Sequence, residues 1–97
     1  MPYRSVFRPG LFDGTVALVT GAGSGIGRCT AHELAALGAA VALAGRKADK
    51  LERVAAEIAE AGGTASVHPV DIRDAAAVDA AIDTVLGRHG RLDALVN

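Results

Sequence analysis

Aromatic side chains are almost missing from these 97 residues: there is no tryptophan, one tyrosine and two phenylalanines. Single-stranded nucleic acid would find no stacking platform here. A basic excess is missing too, because ten Lys and Arg face eleven Asp and Glu for a formal net charge of −1. That balance predicts no polyanion-binding face, so nucleic acid is not an expected partner. Cysteine occurs once, as Cys29. It has no internal disulfide partner and is compatible with a reducing, cytoplasmic setting. Inside a predicted helix Cys29 reads as a small buried hydrophobe, with a reactive thiol as the alternative. No apolar run approaches the roughly 18 residues of a membrane span. "MPYRSVFRPG" carries Arg4 and Arg8 without an apolar stretch behind them, unlike a secretory leader.

What is present is aliphatic. Hydrophobic residues make up 51% and charged residues 22%, the balance of a soluble globular chain rather than a disordered one. A single small domain of this length buries only about 60 to 65% of its unfolded surface, so its own core leaves it marginal. Residues 1–12 read as an arm: Pro2, Pro9 and Gly10 prevent regular structure, and Phe7, Leu11 and Phe12 are placed to staple it to the domain that follows from residue 13.

Beyond the arm, apolar runs alternate with helical patterns. "TVALVT" (15–20) and "AVALAG" (40–45) read as strands buried on both faces, and "TASVHPVDI" (64–72, with its exit loop) and "LDALV" (92–96) as a third and fourth strand. Between them, Ile26, Thr30, Leu34 and Leu37 have helical spacing up to a stop at Gly38, and Leu51, Val54, Ala55 and Ile58 mark an amphipathic helix stopped at Gly62 and Gly63. The third helix begins at a predicted N-cap, Asp74, and carries Val78, Ile82, Val85 and Leu86. Alternation with short connections predicts right-handed parallel crossovers, hence an α/β fold with a doubly wound parallel sheet of about four strands and three helices.

The first turn carries the chemistry. "VTGAGSGIGR" (19–28) places four glycines between strand one and helix one. The first amides of a helix lack internal acceptors, and the helix dipole adds partial positive charge, so this turn favours an anion such as phosphate. A Cβ there would block a pyrophosphate or demand an unfavourable φ. A P-loop is excluded because Gly27 is followed by Arg28 and Cys29, and a strict G-x-G-x-x-G fails at Ile26 or Arg28.

What fits is Thr20-Gly21-x-x-x-Gly25-x-Gly27, and "TGAGSGIG" resembles the T-G-x-x-x-G-x-G cofactor motif of the short-chain dehydrogenase/reductase family. "DIRD" (71–74) and "LDALVN" (92–97) resemble that family's Asp-hydrophobic-x-Asp stretch and the start of its N-N-A-G segment. The resemblance covers residues 12–97 and implies the N-terminal half of a Rossmann fold reaching strand four, in an oxidoreductase that moves hydride to or from a nicotinamide dinucleotide. It implies that Gly21, Gly25 and Gly27 shape the pyrophosphate turn and that Ile26 packs beside the cofactor. Ser24 would bond a ribose or phosphate oxygen, or serve only as a loop residue. The resemblance further implies that Asp71 accepts from the adenine amino group, that the Ile72 amide donates to the ring, and that Asn97 lies near the adenosine ribose.

Cofactor preference follows from charge. An NAD-selective site places a carboxylate about 20 residues past the glycines to hold the ribose 2′-hydroxyl. Gly45, Arg46 and Lys47 stand there instead. A guanidinium forks onto a phosphate, so Arg46 with Lys47 favours NADP(H) over NAD(H); the alternative is two solvated residues opening helix two. His32, His68 and His89 are scattered, so no metal site is expected, and Glu52, Arg53, Glu57 and Glu60 read as a solvated face.

The family's catalysis uses a Ser and a Tyr-x-x-x-Lys pair, whose tyrosine exchanges a proton with the substrate oxygen. The only tyrosine here is Tyr3, followed four residues on by Phe7, so no catalytic residue is assigned within these 97 and the chain alone is expected to be inactive. A sheet ending at strand four is also expected to leave an apolar, aggregation-prone edge. "YRSVFRPGLFDG" and "GIGRCTAHELAALGA" resemble the N-termini of citronellol-type alcohol dehydrogenases and of enoyl-CoA reductases, which implies an aliphatic alcohol, carbonyl or acyl thioester substrate. Homo-oligomers are common in the family. Two other readings stay open: a non-catalytic nucleotide-binding module, and a methyltransferase, against which the missing carboxylate after strand two argues.

Overall fold

A computed structural model describes residues 6–97, so the start of the expected arm, with Pro2, Tyr3 and Arg4, lies outside the described residues. β1 (Val16–Thr20), α1 (Gly25–Ala36), β2 (Ala40–Gly45), α2 (Ala48–Glu60), β3 (Thr64–Pro69), α3 (Ala75–His89) and β4 (Ala94–Val96) follow in chain order. The strands form one sheet in the order β3-β2-β1-β4, and every pairing is parallel. Leu18 of β1 stands between Ala42 of β2 and Leu95 of β4. This is the alternating α/β architecture that the apolar runs predict.

Helices cover both faces of the sheet. On one face Val19, Val41 and Leu43 pack against Ala31 and Ala35 of α1 and Leu51, Val54 and Ile58 of α2. On the other, Val16, Leu18, Ala42 and Ala44 pack against Val85 of α3. Consecutive residues of β1 and β2 are therefore buried, which is why their sequences are continuously apolar instead of alternating. The Phe12 amide donates to the Leu37 carbonyl (2.8 Å) and its ring joins the first cluster, whereas Phe7 and Leu11 remain exposed. Phe12 is thus a point at which this segment is fastened to the core.

Three expectations are corrected. The inward stripe of α1 departs from Ile26-Thr30-Leu34-Leu37 at its start: Leu37 is buried as expected and Leu34 packs half-buried on the core, but Ile26 is 87% exposed and the buried residues within the helix are Ala31 and Ala35. Small residues spaced by four form the ridge that lets α1 lie close to the sheet, with Leu34 packed beside it and Leu37 buried just past the helix end. Cys29 is exposed, not buried. It lies two residues from Ala31, about 200° around the helix. Leu86 of α3 is also exposed, whereas Val78, Ile82 and Val85 pack as expected, joined by Ala81.

The helix signals are located as expected. The Asp74 carboxylate accepts from the Ala77 amide (3.1 Å) at the start of α3, and Gly38 follows α1 with φ +103°.

His68 lies within β3, and His89 closes α3. Both Nε2 atoms meet the hydroxyl of buried Ser66, at 2.7 and 2.9 Å. One hydroxyl proton serves only one ring, so the other imidazole must donate its own N–H. Burial pushes both imidazoles below the usual histidine range, and the charges of His89 and Arg88 add to the effect at His68. The unfolded chain then binds more protons than the folded one between the depressed pKa values and about 6.5, so stability rises with pH through that interval. We expect Tm to fall as pH is lowered from about 7.5 to about 5.5, before the carboxylates titrate, and His68→Leu to flatten that slope. An unaltered slope in the variant would show that the pair is not its source.

Candidate functional site

The carboxyl ends of the four parallel strands carry every residue singled out by the glycine, charge and Asp-hydrophobic-x-Asp patterns. β1 lies between β2 and β4, and the chain leaves it toward α1 on one face but reaches β4 through α3 on the other. Such a reversal opens a crevice beyond the strand ends, where ligands of this architecture bind.

Two different requirements fix the three motif glycines of the turn. Gly21 and Gly25 adopt φ +60° and +58°, in the left-handed region that other residues enter at a cost. Gly27 is different: a Cβ there would lie 2.1 Å from the Gly21 carbonyl oxygen and 3.1 Å from that of Thr20. α1 therefore starts directly against the backbone of the turn. Ala22 is fully buried, and its amide donates to the Ala44 carbonyl (3.2 Å), which ties the turn to β2.

The N-terminus of α1 is open. Ser24 is its N-cap in extended backbone, but its side chain makes no capping hydrogen bond, and no acidic residue stands in the first turn. α3, by contrast, is capped by Asp74. The first amides of α1 and the positive end of its dipole remain available to an anion, and a cradle without side chains fits a pyrophosphate. Ile26, exposed at this turn, offers an apolar contact beside it. Arg28 points elsewhere: it forks onto Glu57 of α2, which also bonds His32 at 3.0 Å, so Glu57 is paired rather than freely solvated. The Arg28 guanidinium and then His32 hold the Glu57 carboxyl below its usual range.

On one side of the turn the Thr20 hydroxyl, 3.1 Å from Asn97 Oδ1 and 3.3 Å from the Val96 carbonyl, brings Asn97 to the end of β1. On the other side Arg46 and Lys47, both exposed, follow β2, with Lys47 as the N-cap of α2. Asp71 and Ile72 follow β3, joined to the end of β2 by the bond from the Val70 amide to the Gly45 carbonyl (2.7 Å). Arg46 is near enough to act electrostatically on Asp71.

Sequence spacing assigns no role to Arg73, yet its amide (2.9 Å) and Nε (3.1 Å) donate to Asp71 Oδ1 and its Nη2 to Oδ2 (2.9 Å). The available signal was an arginine two residues after an aspartate at a strand exit, where an Asx turn folds one back onto the other. The guanidinium first, then the amide, hold the Asp71 carboxyl down to about 2, so it stays ionised at any ordinary pH. Among the described residues no three His, Cys, Asp or Glu are grouped to hold a metal, and no helix is long and apolar enough to cross a membrane.

Known proteins share this arrangement. The family model for short chain dehydrogenases matches residues 15–97. A citronellol catabolism dehydrogenase of Pseudomonas aeruginosa superposes with a TM-score of 0.95 at 60% identity, over 98% of this chain and 40% of its own. A metagenomic short-chain oxidoreductase solved in complex with NADP follows at TM-score 0.84 and 45% identity, over 87% of this chain and 38% of its own. A probable 2,4-dienoyl-CoA reductase of Caenorhabditis elegans is 43% identical over 95% of this chain and 30% of its own length. The chain thus spans between 30% and 40% of these three relatives. With its glycine turn, its parallel sheet and this match over nearly all the described residues, the chain belongs to the short-chain dehydrogenase/reductase family.

Proposed function

We propose that residues 13–97 form the adenosine and pyrophosphate half of an NADP(H)-dependent oxidoreductase, with residues 1–12 as an arm. The open N-terminus of α1, set against a turn that only glycine permits, carries this reading. When bound, the nicotinamide ring of the cofactor supplies or accepts hydride. Gly21, Gly25 and Gly27 admit the pyrophosphate to the helix amides, Ser24 offers its free hydroxyl to a ribose or phosphate oxygen, and Ile26 covers the apolar side. Thr20 holds Asn97 at the ribose. Arg46 and Lys47 meet the 2′-phosphate, and Asp71 and the Ile72 amide read the adenine. Binding is what these 97 residues supply, and alone they turn over no substrate.

The substrate class follows from the relatives named above: an aliphatic alcohol, its carbonyl product or an acyl thioester. The protein is cytoplasmic and acts as a homo-oligomer. Calorimetric titration with NADP+ and NAD+ tests the core of the reading. The 2′-phosphate should give NADP+ the tighter binding by about tenfold or more, one charge-assisted contact's worth. A chain that binds neither dinucleotide refutes the reading, and one that binds NAD+ better refutes the role of Arg46 and Lys47.

A further inference from the structure

We propose that Arg73 is the positioning residue for adenine recognition, holding the Asp71 carboxylate so that one oxygen lone pair is left for the adenine amino group. The inference rests on the dinucleotide reading above and gives a role to Arg73, which stands in the strand-exit pattern only as its unspecified position. A carboxylate offers about four acceptor positions. Three of them are taken by Arg73: its amide and Nε on Oδ1, and Nη2 on Oδ2. The amide contact fixes the rotation of the side chain, and the guanidinium fork fixes its plane. What remains is a single acceptor on Oδ2.

This clamp is local and needs nothing else from the fold. Arg73 is 75% exposed and Asp71 37% exposed, and Arg73 bonds no other element among the described contacts. An exposed ion pair between neighbours in a loop contributes little to stability. Its value lies in geometry: an unrestrained aspartate would present either oxygen in many rotamers, and each nucleotide would have to order it on binding. The fork also offsets the carboxylate's charge close to Arg46, so Asp71 can sit by the adenine without repelling a phosphate bound at Arg46.

The test compares NADP+ with its purine analogue, in which hydrogen replaces the 6-amino group and the ring N1 stays an acceptor, on the full chain and on Arg73→Ala and Arg73→Lys. The unaltered chain should prefer the adenine form by about tenfold, the worth of one hydrogen bond to a charged acceptor. Arg73→Ala should bring that preference below about threefold while binding of the purine form stays within about twofold. Arg73→Lys should do the same, because an ammonium is a point charge and cannot hold two oxygens in a plane. A merely structural or electrostatic role would weaken both ligands together and leave the ratio alone. A preference at or above about threefold in Arg73→Ala, or no adenine preference in the unaltered chain, overturns the assignment while leaving dinucleotide binding intact. Tighter NADP+ binding by Arg73→Ala also overturns it, since the guanidinium would then be blocking the carboxylate. If the unaltered chain binds neither dinucleotide, the underlying reading fails and the assignment fails with it.

Discussion

Gly27→Ala should abolish dinucleotide binding and leave much of the chain unfolded. The added Cβ would stand 2.1 Å from the Gly21 carbonyl oxygen and 2.7 Å from its carbon. Both are backbone atoms, so no rotamer change can relieve the clash. Either the turn gives up the conformation that lines the anion site, or α1 backs away from β1 and opens a gap beneath Ala31 and Ala35. Overpacking of this kind costs about 3 kcal/mol, and more when backbone must move. A domain of this size has only about 5 kcal/mol to lose.

Gly87→Ala is the informative companion. Gly87 lies in α3 with nothing within 4 Å of its Cβ position, so alanine there should stabilise the helix by about 0.5 to 1 kcal/mol. Urea denaturation and NADP+ titration of both variants provide the check. NADP+ affinity within tenfold of the unaltered chain in Gly27→Ala would mean that the close approach of helix and turn is not what forms the site.

Arg46→Asp should reverse the cofactor preference. A 2′-phosphate carries between one and two negative charges, and the substitution replaces a fork of donors with a carboxylate that repels it. The same carboxylate can accept from the free ribose hydroxyl of NAD+. The ratio of NADP+ to NAD+ affinity should therefore move by about two orders of magnitude or more, with Lys47 retaining some attraction for phosphate. Arg46→Ala separates the two effects, because it loses the fork without gaining an acceptor and should weaken NADP+ alone. A ratio that does not move in Arg46→Asp would return Arg46 to the role of a solvated residue opening α2.

The order of strands and helices was readable because β1 and β2 are covered on both faces and so appear as unbroken apolar runs. α2 was readable because its large residues, Leu51, Val54 and Ile58, are the ones that pack. α1 was misread at its start for the opposite reason: Leu34 and Leu37 pack as expected, but the buried residues within the helix, Ala31 and Ala35, are small, and the large Ile26 is held outward at the candidate site. Apolar spacing shows which residues avoid water, but not whether they avoid it against the sheet or against a ligand.

The candidate site was visible where one local stretch imposes a backbone requirement, as at the glycine turn. Side-chain pairs elsewhere were hidden, because the partner is set by folding. Ser66 meets His89 from 23 residues away, and Glu57 meets Arg28 from 29; no periodicity connects such pairs. Arg73 fell between these cases, local in sequence but with no apolar pattern to draw attention to it.

The bond between Thr20 and Asn97 joins residues 77 positions apart. Nearly the whole chain must be threaded into place before that contact can close, and contacts of such long sequence separation slow the search for the native state. The glycine turn can take shape while β1, α1 and β2 are assembling, but its flank at Asn97 is completed only when β4 docks. Nucleotide affinity during refolding should therefore arrive last, in step with β4. A dinucleotide that favours the finished crevice would act as a ratchet, drawing the equilibrium toward the docked strand by mass action.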